Sequence, residues 1–159
     1  MTVHVFSMYG LGGRIWSWPI KDYVVSSLSN IKGVTVTPTV GYTQWRIISE
    51  EIRQLPKGDK SVVIGHSMGA SAATYITDEV PVDLVVCYDC AGQVPSRTGK
   101  NTGKLLDFWD RAFALVPKFR PRGDTSKIQQ TITYDGHTGQ PPDPKLLKIV
   151  KSEIANLIA

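Results

Sequence analysis

Ser61-Val62-Val63-Ile64-Gly65-His66-Ser67-Met68-Gly69-Ala70-Ser71-Ala72-Ala73 is the stretch whose reading decides the fold. Val62, Val63 and Ile64 form a short apolar run without polar alternation, as in a strand covered on both faces. Small residues from Gly69 onward open a helix that ends before Pro81. Between strand and helix lies Gly65-His66-Ser67-Met68-Gly69, a G-x-S-x-G in the strand–turn–helix context that this motif requires. A serine on so tight a turn takes a strained backbone and stands clear of the sheet. The glycines two before and two after it let strand and helix approach without a Cβ clash. The next amide, that of Met68, falls at a helix N-terminus, where its N–H and the helix dipole both favour an oxyanion.

Working outward, the chain alternates strand and helix. Residues 3–8 alternate as a strand and run into the glycine turn Tyr9-Gly10-Leu11-Gly12-Gly13. Residues 16–28 read as a helix with Pro19 in its first turn. Residues 34–40 are β-rich, with Pro38 marking an edge strand. Trp45, Ile48, Ile52 and Leu55 recur at helical spacing before Pro56-Lys57-Gly58. Residues 83–88 read as a second buried strand and residues 128–134 as the last one. The stretch 92–127 reads as mostly irregular, with an amphipathic helix over Leu105–Val116. Asp143 caps a final helix with Pro144 at its first position, and Leu146, Leu147, Val150 and Ile154 lie on its apolar stripe. The expected fold is α/β: one domain over residues 1–159, with a doubly wound, mostly parallel sheet of five to six strands in the order 2-1-3-4-5. Ligands of such sheets sit at the carboxyl ends of the strands, where the order reverses. Chemistry should therefore gather at Tyr9–Gly13, His66–Gly69, Asp89–Cys90 and the loop after Tyr134.

With these elements and the Gly65–Gly69 motif in place, the chain resembles a small member of the α/β-hydrolase superfamily, one without a large cap. The resemblance covers the order of elements along the whole chain and is sharp at residues 65–69 and 10–13. It implies a serine hydrolase of carboxylic esters or thioesters, with nucleophile, acid and histidine following in that chain order. Ser67 is then the nucleophile. His137, in Tyr134-Asp135-Gly136-His137-Thr138-Gly139, stands where the family carries its catalytic histidine. His4 lies within the first strand, and the elbow is expected to turn His66 away from the reacting face. For the acid, Asp89 at the end of its strand is preferred over Asp135, Asp107 and Asp110. Asp135 reads as a turn former with Gly136, and Asp107 and Asp110 as the polar side of a helix. Backbone amides of Met68 and, by the resemblance, Leu11 form the oxyanion hole, with Tyr9 standing where the family often has His. An acyltransferase on the same site, or a non-catalytic binding protein on the same scaffold, are the alternatives. Phe108, Trp109 and Phe113 offer an acyl-binding surface or core packing.

Other motifs fail on inspection. Gly10-x-Gly12 lacks the third glycine of a dinucleotide fingerprint, and no acidic residue ends the second strand. Gly99-Lys100-Asn101-Thr102-Gly103-Lys104-Leu105 is one residue short of a phosphate loop and has Leu where Ser or Thr would hold magnesium. Nucleic-acid binding is not expected, because the aromatics of the basic segment fit a helix's apolar face. Cys87 and Cys90 are too few for a disulfide framework and lack the companions of a zinc site, so they read as thiols in a reduced compartment. The proposed chemistry calls for no metal or organic cofactor, and its partner is a small ester or thioester.

The 159 residues, 42% hydrophobic and 20% charged, suit one globular domain rather than a disordered or fibrous chain. No apolar run is long enough to span a membrane, and the first residues read as a strand rather than a secretory leader, so a soluble cytoplasmic protein is expected. The formal charge is +4. Residues 97–127 carry eight Lys and Arg against Asp107, Asp110 and Asp124. Such a surface could attract anionic material weakly, although a solvated basic face serves solubility as well.

Overall fold

Apolar side chains at alternating positions of β1 (Val3–Tyr9) serve two different cores. Val3 and Val5 belong to one cluster, Phe6 and Met8 to the other, as the two-residue period of a strand demands. The same division holds along the sheet of the computed structural model, which describes residues 1–13, 15, 19–91, 97–111 and 122–159. β2 (Val34–Val36), β3 (Val40–Gly41), β4 (Lys60–His66), β5 (Val82–Tyr88), β6 (Thr102–Asp110) and β7 (Ile128–Thr133) complete seven strands. Their order is β2-β1-β4-β5-β6-β7, with β3 also on β1. All of these pairings are parallel.

Among the described residues four helices flank the sheet. α1 is a π-helical stretch, Ile20–Val25, that passes into an α-helical turn, Ser26–Leu28. α2 is Trp45–Arg53, α3 is Met68–Glu79 and α4 is Pro144–Ile158. Residues of α1 and α4 pack in the cluster with Val62, Ile64, Val86 and Phe108; those of α2 and α3 pack with Val63, Val85 and Leu105. At α4 the local rules and the packing agree. The Asp143 side chain accepts from Lys145 N (2.8 Å), Pro144 fills the first turn, and Leu146, Leu147, Val150 and Ile154 are buried. No helix of the described residues is long and apolar enough to cross a membrane.

Several expectations need correction. The amphipathic helix over Leu105–Val116 is instead β6, a nine-residue strand between β5 and β7. The fourth and fifth expected strands are therefore not neighbours, and among the described residues the sheet has seven strands rather than five or six. Residues 112–121 lie outside the described residues. Asp107 and Asp110, expected on a polar helix face, are both buried. The single strand expected over 34–40 is two short ones, β2 and β3, which pair with different halves of β1. Pro38, which has no N–H to donate, lies in the gap between them. Of the helix read over residues 16–28, residues 16–18 lie outside the described set, and α1 begins directly after Pro19.

Candidate functional site

The β4–α3 turn is held by close backbone approach. A Cβ on Gly65 would come within 2.2 Å of Gly69 O, and a Cβ on Gly69 within 2.5 Å of Met8 O. Both obstacles are backbone, so only glycine fits at either position. Between them Ser67 takes φ 58° and ψ −123° as the N-cap of α3, a conformation that costs a non-glycine residue on the order of 1–3 kcal/mol. The surrounding bonds hold it there. Ser67 N–H donates to Tyr88 O (2.9 Å), and Ser67 O accepts from Ala70 N (3.0 Å) and Ala91 N (3.1 Å). Tyr88 and Ala91 flank Asp89, so the serine backbone is stitched to the strand end that carries this carboxylate.

Asp89 itself sits at φ 44°, fully buried just past β5. Its N–H donates to Phe108 O (2.8 Å), and its Oδ1 accepts from Asp110 N (3.3 Å). Its other oxygen, Oδ2, is hydrogen-bonded to His137 Nδ1. That bond fixes the Nδ1–H tautomer and leaves Nε2 as the lone-pair nitrogen. Residue 137 comes from the loop between β7 and α4, 48 positions after Asp89. Among the described residues no hydrogen bond joins Ser67 Oγ to the His137 ring. Bonds of this kind often tighten only once substrate is present.

The glycine turn after β1 closes a third side. A Cβ on Gly10 would meet Ser67 Cβ at 2.7 Å, His66 O at 2.9 Å and Met68 N at 3.2 Å, so the Gly10 backbone lies directly on the elbow. Leu11 follows, 65% exposed. Neither Met68 N–H, the first amide of α3, nor Leu11 N–H donates to another described residue. Met68 N–H, next to Ser67, is at the N-terminus of α3, where no intrahelical acceptor exists.

One contributor escaped the sequence reading. The His66 ring does not turn away from this rim. It lies 4.6 Å from the His137 ring, centroid to centroid, and its Nε2–H donates to the His137 backbone carbonyl (2.7 Å). Burial pushes the His66 imidazole down to about 4, outweighing the opposite effect of that hydrogen bond, so it is neutral near pH 7. Its position beside the motif serine was the available signal, but nothing in the sequence told which way the ring points.

The remaining candidates lie elsewhere, apart from Asp135 in the histidine loop. His4 pairs with Asp59 (2.9 Å) near the amino end of β1. Asp107 Oδ2 accepts from Gln130 Nε2 (2.8 Å) within the sheet. Asp135 is exposed, and partial desolvation, then the Asp143 and Asp110 carboxylates, raise its carboxyl above the usual range. Phe108 is buried against Tyr88 in the core and offers no acyl surface; Phe113 lies outside the described residues. Of the basic segment, Arg97 pairs with Asp78, Lys104 with Glu153 (2.6 Å), and Lys127 Nζ donates to Thr102 O (2.8 Å). Lys104 and Lys127 lie near the amino ends of β6 and β7, the opposite rim from Ser67. Cys87 and Cys90 are buried and form no disulfide, with Cys90 Sγ 3.2 Å from Ser71 Oγ.

No protein-family model matches the chain, and neither does any curated protein.

Proposed function

We propose that the chain is a serine hydrolase of carboxylic esters or thioesters, on a small doubly wound domain of α/β-hydrolase type without a large cap. The observation that carries this reading is the His137–Asp89 hydrogen bond, placed at the rim that holds a strained serine at a helix N-terminus. In the proposed reaction Ser67 Oγ attacks the substrate carbonyl while His137 Nε2 takes its proton. The Met68 and Leu11 N–H groups donate to the oxyanion that forms on the carbonyl oxygen. His137 returns the proton to the departing alkoxide or thiolate, leaving an acyl group on Ser67. Water then adds to the acyl carbon, giving its proton to His137. Collapse of that second intermediate releases the acid, with the proton passing back to Ser67 Oγ. The Asp89 carboxylate stabilises the imidazolium in both steps.

The expected substrate is a small ester or thioester that reaches an open rim. A short-chain nitrophenyl ester should be turned over by the wild type. Ser67→Ala should lower that rate by about 10⁴-fold or more. A wild type with no turnover, or a Ser67→Ala variant of equal activity, contradicts the reading.

A further inference from the structure

β6 ends in Asp110, a fully buried carboxylate with no place in the reaction just described. Its Oδ2 accepts from Gly136 N (2.7 Å) and from Thr133 Oγ1 (3.2 Å), and its own N–H donates to Asp89 Oδ1 (3.3 Å). Gly136 is the residue before His137. It sits at φ 79°, and its carbonyl accepts from Gly139 N (3.0 Å), so the chain turns sharply there. One side chain thus holds both ends of the segment that delivers the histidine, while its backbone touches the carboxylate that the histidine meets. Thr133 is braced in turn by Gln140 Nε2 (2.8 Å). Burying a carboxylate is costly unless hydrogen bonds compensate it. Two of the bonds that compensate it go to the histidine loop.

We propose that Asp110 is a positioning residue for His137. It fixes the Thr133–His137 segment so that Nδ1 meets Asp89, while His66 holds the far side through the His137 carbonyl. The kinetic consequence rests on the serine-hydrolase reading; the anchoring does not. Because both bonds end on one oxygen, an asparagine can accept them through its single carbonyl, whereas alanine cannot.

The test compares Asp110→Ala and Asp110→Asn in two measurements. In steady-state ester hydrolysis, Asp110→Ala should lose kcat by on the order of 10²-fold, with KM changed less than about twofold. Asp110→Asn should recover at least about tenfold of that loss. An Asp110→Ala variant within about threefold of wild type overturns the proposal. So does Asp110→Asn no better than Asp110→Ala, since charge and not positioning would then be at stake. In amide hydrogen exchange, the Gly136 N–H should lose protection in Asp110→Ala and keep it in Asp110→Asn. If Asp110→Ala does not fold, Asp110→Asn together with Thr133→Val, which removes the second bond and the Gln140 brace but keeps the first, should leave Gly136 protected. A wild type inactive on every ester removes the hydrolase reading alone, and the exchange result then decides the anchoring by itself: unchanged Gly136 protection in Asp110→Ala overturns it.

Discussion

The serine turn and the histidine loop meet at one rim but are held there by opposite means. Around Ser67 the restraint is backbone against backbone. Gly10, Gly65 and Gly69 bring three segments so close that no side chain fits between them. Around His137 the restraint comes from side chains: Asp89 on the ring, His66 on its carbonyl, Asp110 on the preceding amide. A turn fixed by close packing fails all at once when an atom is added. A loop fixed by several hydrogen bonds fails by degrees as they are removed one at a time. The serine is thus built into the fold, and the histidine is hung on it.

The largest effect should follow from changing the tautomer without disturbing either restraint. Asparagine tolerates the positive φ that residue 89 adopts. In Asp89→Asn its carbonyl can still accept from Asp110 N, but its amide faces His137 Nδ1 and forces the wrong tautomer. Ester turnover should fall on the order of 10³–10⁴-fold with the thermal midpoint nearly unchanged. A loss below about tenfold would mean that Asp89 is not the partner that orients the base.

Next in size is a break in the packed turn. In Gly65→Ala the added methyl meets the Gly69 carbonyl at 2.2 Å, and the backbone cannot yield there. Urea unfolding should show a loss of about 3 kcal/mol or more, accompanied by loss of turnover. If stability is retained, the close approach is not what holds the elbow.

The smallest effect concerns His66. Its imidazole takes up a proton near pH 4 in the folded chain but near its ordinary 6.5 when unfolded. The unfolded state therefore binds more protons between these values, and stability falls as pH drops from 6.5 toward 4. His66→Gln keeps a donor for the His137 carbonyl and removes this titration. Its stability relative to wild type should improve across that window, by up to roughly 3 kcal/mol. Parallel curves for the two proteins would mean that His66 is not held neutral by burial. Turnover near pH 7 should differ by less than about tenfold, because the donated bond survives.

The same division explains what the sequence reveals. The elbow is a local arrangement, so Gly65, Ser67 and Gly69 display it within five residues. The cap of α4 is equally local, and Asp143 with Pro144 announces it. β6 is hidden because both its faces are covered. Leu105, Leu106, Asp107 and Phe108 are all buried, so no two-residue alternation survives. The chance spacing of Leu105, Phe108 and Trp109 imitates a helix instead. The two aspartates strengthened that impression, since burial of a carboxylate is the less common case. The anchors of the histidine loop are hidden for another reason. His66 and Asp110 lie 71 and 26 positions before their partners, and nothing local records such bonds.

The central claim is that Ser67 carries a reactive hydroxyl activated by His137. Treatment with a fluorophosphonate, followed by peptide mapping in a mass spectrometer, tests it most directly. The account predicts one covalent adduct, on Ser67, absent from Ser67→Ala and lost in His137→Ala with the fold retained. An unmodified wild type, or an adduct that survives in His137→Ala at the wild-type rate, would contradict it.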